Sequence, residues 1–112
     1  MQGIQMEMTR LMVASKEEFS KWIDDPGVHL IDDDVWRKLR KMVGMTEREY
    51  EVCRLIFEGK TRNEAALQLG ITSRTVRHYM ELLHGKLHVT NRVSLVLRLV
   101  QLRDFLKDRS EK

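Results

Sequence analysis

Residues 61–87 read TRNEAALQLGITSRTVRHYMELLHGKL, two apolar-patterned runs separated by Leu69-Gly70-Ile71. In the first run Thr61 and Glu64 have the spacing of a capping box, in which hydroxyl and carboxylate each satisfy an orphan backbone donor at a helix start. Ala65, Ala66 and Leu69 then supply a buried face whose small alanines let another helix come close. Gly70 stops the helix, because only a residue free to take positive φ turns the chain this sharply. In the second run Thr72 or Ser73 caps a helix, and Val76, Met80, Leu83 and Leu87 recur at steps of four, three and four, one inward stripe. Two short helices joined by a Gly-containing turn predict a helix-turn-helix.

The other side of the second helix carries Arg74, Arg77, His78 and Glu81, again three and four apart, with Thr72, Ser73 and Thr75 at its start. A helix N-terminus with hydroxyls suits phosphate groups, and long polar side chains one turn further in suit base edges. Arginine grips guanine through two parallel hydrogen bonds, which makes Arg77 the first candidate for base reading and Arg74 a base or phosphate contact. Glu81 has the chemistry to accept from cytosine N4 or to pair with Arg77.

Working outward, Thr46 with Glu49 opens an earlier helix whose apolar face holds Tyr50, Cys53, Leu55, Ile56 and Phe57 and which ends at Gly59. Cys53 falls among core positions and reads as a small buried hydrophobe. Downstream, a helix from about Asn91 to Lys107 is apolar on more than one stripe. A helix of that kind needs two partners. The domain core covers one stripe, and a symmetry mate or the N-terminal helices cover the other. The symmetry mate is the preferred reading, with Leu95, Leu99, Leu102, Phe105 and Leu106 as the dimer face.

Upstream, Ser15 with Glu18 and the spacing of Phe19, Trp22 and Ile23 predict a short helix over 16–24, closed by Asp24-Asp25-Pro26-Gly27. The triplet Asp32-Asp33-Asp34 precedes Val35, Trp36, Leu39, Met42 and Val43, where negative charge complements a helix N-terminus. Residues 1–14 fit neither a long helix nor a strand and are left unassigned. Trp22 and Trp36 read as core residues anchoring this extension. The linker Val43-Gly44-Met45 is short, so the two parts pack together.

The run Thr46-Glu47-Arg48-Glu49, then Asn63-Glu64-Ala65-Ala66, Leu69-Gly70-Ile71, Thr75-Val76-Arg77, Lys86-Leu87 and Asn91-Arg92 closely resembles the LuxR-type (GerE-like, NarL/FixJ) DNA-binding domain over about half the chain. The resemblance implies an all-α, four-helix domain, which with the residue pattern gives a domain over 45–112 with an extended C-terminal helix, and the caps and apolar spacing upstream add a short, mostly helical extension over 1–44. It implies binding of double-stranded DNA as a homodimer, the third helix in the major groove and the fourth at the dimer contact. Thr75 would touch phosphate, Val76 would be core, and Arg77, His78 and Glu81 would face the bases, with Lys60, Lys86 and Arg92 contacting the DNA backbone. The sequence departs from the family pattern at Tyr79, His88 and Gly85, where histidine, glycine and a long polar residue are usual.

Composition agrees with one DNA-binding unit and a short appendage. The chain has 112 residues and a formal charge of +3, enough for one core. Residues 1–44 carry seven basic against eight acidic residues, whereas Lys60 to Arg92 holds six basic residues against Glu64 and Glu81, with three of the four histidines. With a single cysteine and no long apolar run, the expectation is a soluble, cytoplasmic, nucleoid-associated protein that does not enter a membrane. No phosphate-binding loop, nucleophile motif or metal cluster marks an enzyme or a cofactor. His84 and His88 have helical metal-pair spacing but no third ligand at a suitable offset and are read as surface residues. The rival readings are a relative of the promoter-reading region of sigma factors, and a helix-turn-helix scaffold turned to protein binding through Trp22, Trp36 and Asp32 to Asp34. RNA polymerase or another regulator is a further candidate partner.

Overall fold

A computed structural model describes residues 30–110, and among these the chain forms five helices and no strand: α1 (Asp33–Val43), α2 (Glu47–Phe57), α3 (Arg62–Leu69), α4 (Ser73–Leu87) and α5 (Arg92–Ser110). The all-α class is therefore as expected, and α3 and α4 are the two helices of the helix-turn-helix. The helix expected over 16–24, with Trp22 and the Ser15–Glu18 box, lies outside the described residues, as do the unassigned residues 1–14. Among the described residues no helix is long and apolar enough to cross a membrane.

The helix starts follow local chemistry. Thr46 and Glu49 form a complete capping box on α2, with Glu49 N–H donating to Thr46 Oγ1 at 3.2 Å and Thr46 N–H donating to Glu49 Oε1 at 2.8 Å. Thr61 and Glu64 do the same on α3. Thr72 is the N-cap of α4, accepting from the Thr75 N–H at 3.1 Å. Asn91 and Ser94 exchange side-chain and backbone bonds at the start of α5, at 2.8 and 3.2 Å. Asp32 occupies the N-cap of α1 without a side-chain cap bond, so the acidic triplet acts there by its charge at the positive end of the helix dipole.

The ends are equally local. Gly70 sits at φ 67° and turns α3 into Ile71, whose N–H donates to Ala66 O at 3.0 Å. His88 ends α4 in the same left-handed conformation, at φ 56°, a conformation that a residue with a Cβ adopts at a cost of about 1 kcal/mol.

One core joins all five helices. α4 packs on both α2 and α3, α1 packs on α5, and α5 also meets α4. Val76, Met80, Leu83 and Leu87 are buried, as their spacing predicts, against Ala65, Ala66, Val52, Cys53 and Ile56. Cys53 is fully enclosed, and burial pushes its thiol up to about 12, so it is inert as a nucleophile.

α1 belongs to this core. Trp36 and Leu39 are 2% and 0% exposed, and the Trp36 ring meets Phe57 and Tyr50 edge-on at 5.4 and 6.1 Å between centroids. Arg54 of α2 lies 5.5 Å from the Trp36 ring and donates to Asp33 Oδ1 at 2.9 Å and Tyr50 Oη at 3.2 Å. Burial favours a neutral Arg54, but those hydrogen bonds and charges outweigh it and hold the guanidinium above its ordinary pKa. Arg103 of α5 donates to Leu30 O at 2.9 Å, fastening the chain just ahead of α1.

This packing takes Leu95 and Leu99 out of the expected dimer face. Leu95 and Leu99 are 0% exposed and belong to the protomer's own core, and Leu102 and Leu106 are half-buried against it. Of the five residues expected there, only Phe105 is exposed, and Arg109 stacks on its ring. The second stripe of α5 faces α1, so the N-terminal part of the chain covers much of the surface assigned to a symmetry mate. Besides Phe105, α5 presents Val93 and Leu97 to solvent, 69% and 63% exposed.

Candidate nucleic-acid interface

α4 carries the site because its faces are cleanly divided. With Val76, Met80, Leu83 and Leu87 turned into the core, helical geometry turns Arg74, Arg77, His78 and Glu81 outward, and all four are exposed. They form one continuous stripe over two turns. At its start Thr72 is exposed, Ser73 and Thr75 are half-buried, and the hydroxyls of Thr72 and Thr75 lie 2.9 Å apart, within hydrogen-bond reach.

The electrostatics of α4 differ from those of the helices before it. α1, α2 and α3 carry acidic residues in their first turns, Asp33 and Asp34, Glu47 and Glu49, and Glu64, whereas α4 carries none. Its positive end therefore faces solvent without a carboxylate to offset it, with first-turn N–H groups that have no partner within the helix. Such an end favours an anion.

Two of the expected backbone-contacting cations are committed elsewhere. Lys86 Nζ donates to Glu49 Oε1 at 2.6 Å and to Gly44 O at 2.7 Å, tying α4 to the start of α2 and to the α1–α2 linker. Arg92 Nη2 donates to Ile56 O at 3.1 Å and Lys60 O at 2.7 Å, closing the carbonyl end of α2. In both, a basic side chain within a basic stretch also serves the fold, because acceptors of the fold lie within its reach. Lys60 is half-buried at the α2–α3 turn.

A residue that the sequence reading passed over completes the frame. Arg98 of α5 donates to Leu87 O at 3.2 Å and to Gln101 Oε1 at 2.8 Å, so α5 holds the carbonyl end of α4. The signal was a basic residue one helix downstream, which only a folded structure brings to the right carbonyl. His84, expected at the surface, is half-buried with an unpartnered Nε2, while His88 is exposed. Trp36 is enclosed, which removes it from the protein-binding surface considered for the extension, whereas Asp33 pairs with Arg54 and stays exposed.

An open groove of about 860 Å³ lies beside α1, lined by residues including Arg37, Lys38, Lys41 and Thr46. None of Arg74, Arg77, His78 or Glu81 lines it. The α4 stripe is convex, suited to entering a groove in a partner rather than to enclosing a small molecule.

Comparison with known proteins accords with this geometry. The model of the luxR family of bacterial regulatory proteins matches residues 43–99. The chain is 43% identical over 54 residues to the transcriptional regulatory protein DesR of Bacillus subtilis, 48% of this chain and 27% of that protein. It is 41% identical over 58 residues to the transcriptional activator protein AnoR of Acinetobacter nosocomialis, 52% of this chain and 24% of that one. The transcriptional activator protein ExaE of Pseudomonas putida is 38% identical over 56 residues, 50% of this chain and 26% of that protein. The chain thus spans about a quarter of the length of the curated relatives it matches. No solved structure matches it.

Proposed function

The chain belongs, through residues 43–99, to the luxR family of bacterial regulatory proteins, and from that premise we propose that it binds double-stranded DNA to regulate transcription, as a homodimer with α4 in the major groove. It is a regulator rather than an enzyme. The observation that carries the reading is the exposed stripe Arg74, Arg77, His78 and Glu81, on a helix whose opposite face is buried and whose first turn lacks any acidic residue. In this reading Thr72, Ser73, Thr75 and the α4 N-terminus hold the phosphates, and Arg77 reads a base.

The test is a titration of the full chain with duplex DNA at several salt concentrations. Arg77→Ala is expected to lose roughly 10–100-fold of affinity for a selected site and to relax preference at one base pair. Arg74→Ala, if its partner is a phosphate, weakens all sequences alike and lowers the salt slope by about one. Unchanged binding by both variants would sink the DNA reading.

For the dimer, support comes from Val93 and Leu97, which stand one turn apart on the open side of α5. Leu97 lines a shallow depression of about 660 Å³ together with Val100 and Gln101. Leu97→Glu places a charge in that contact without touching the core and is expected to leave a folded monomer by sedimentation. A wild type that sediments as a monomer on DNA and off it rejects the dimer.

A further inference from the structure

Glu81 is the only acidic residue of α4 and stands in the middle of the stripe proposed to enter the groove. Its carboxylate lies 3.5 Å from Arg77 Nε, with the two side chains 63% and 68% exposed. A carboxylate carried toward a polyanion opposes binding at every sequence. Helix stability gives little reason for it. An exposed pair at this spacing adds little, and the favourable order places the acid before the base, whereas here Arg77 precedes Glu81.

Gly85 adds an independent observation on the same stripe, one turn beyond Glu81. A Cβ built at Gly85 meets nothing within 4 Å, so no packing inside the protomer calls for glycine there. Its lack of a side chain leaves the C-terminal flank of Glu81 open, and the carboxylate has room to turn from Arg77 to another donor on that side.

We propose that Glu81 is a specificity-determining residue that couples the base choice of Arg77 to a neighbouring cytosine. This rests on the reading of α4 as the major-groove helix. In free protein Glu81 holds Arg77 by a weak, solvated contact. In the groove, water is displaced and phosphates surround the stripe, so the carboxylate requires a donor. A cytosine N4-amino group supplies one and releases the Arg77 guanidinium for two hydrogen bonds to guanine O6 and N7. With any other base in reach, Glu81 keeps Arg77 as its donor and the guanine contact is lost. The pair therefore reads a guanine and a cytosine together and rejects sites that offer only one.

Selection of the full chain and of Glu81→Ala from a random-sequence duplex pool, followed by titration of the enriched sites, tests this. Glu81 is exposed, so the variant keeps its fold, which circular dichroism checks. The wild type is expected to enrich a linked guanine and cytosine. Glu81→Ala is expected to keep the guanine, to lose the cytosine preference by about tenfold in relative affinity, and to bind random duplex more tightly. Glu81→Gln, which accepts through one oxygen without the charge, is expected to fall between the two. An identical enriched motif from Glu81→Ala overturns the proposal, as does an equal loss of affinity for all sequences. A wild type that binds no duplex is a different failure, since it removes the function on which the proposal rests.

Discussion

Replacing Trp36 with alanine should lower the stability of the whole domain by about 3–5 kcal/mol, the usual range for deleting a buried aromatic side chain. Trp36 is 2% exposed and makes edge-on contacts with Tyr50 and Phe57 of α2, with the Arg54 guanidinium against its ring. The substitution removes the indole from between two helices and leaves a cavity in the core. Domains of this size have about 5–15 kcal/mol in total. The expected result is a thermal midpoint lower by about 20 °C, with a single transition by both far-ultraviolet circular dichroism and calorimetry. Trp36 precedes the residues that the family model matches, so the experiment also decides whether α1 folds with the helix-turn-helix or beside it. A loss under about 1 kcal/mol would mean that α1 melts separately.

The same contrast explains what was legible in the sequence. Caps and stripes are local: Thr46 with Glu49, Thr61 with Glu64, and the steps from Val76 to Leu87 each lie within two turns, and the structure realises all of them. The outward face of α4 follows from its inward one, so Arg74, Arg77, His78 and Glu81 were readable as a set. α5 was different, because apolar residues encircle it and no phase can be read from such a pattern. Its phase depends on α1, which lies some sixty residues away in the chain and packs alongside it. That is why Leu95 and Leu99 were placed at an interface while Val93 and Leu97 were passed over. The fold partners of Lys86 and Arg92 were hidden for a related reason, since Glu49 and the carbonyls of Ile56 and Lys60 are 32 to 37 residues away in sequence. A basic stretch shows where cations are but not which of them the fold consumes.

The Glu49–Lys86 pair gives the second large effect, and pH gives it a signature. Glu49 is 2% exposed, yet it accepts from Lys86 Nζ at 2.6 Å and from the Thr46 N–H at 2.8 Å. Burial pushes its carboxyl up, but the Lys86 ammonium and the Thr46 hydrogen bonds outweigh that and hold it below the ordinary carboxylate value. A pKa lowered by folding means that the folded state favours the ionised form. Its contribution is complete above the unfolded value of about 4.3 and is lost as the pH falls through the lower folded value. Glu49→Ala removes the pair and half of the α2 capping box together. Removing one partner of a buried pair costs about 3–5 kcal/mol. Lys86 is one-third exposed and can turn to water, which places the expected loss near the lower end, about 3 kcal/mol at pH 7. Urea unfolding of wild type and Glu49→Gln from pH 7 to pH 3 separates charge from shape, because glutamine keeps the acceptor and the volume. The two curves should lie apart at neutral pH and converge as the acid protonates. A gap that stays constant across that range would show that Glu49 acts by packing alone, and Lys86 would then be a cation that the fold does not need at that place.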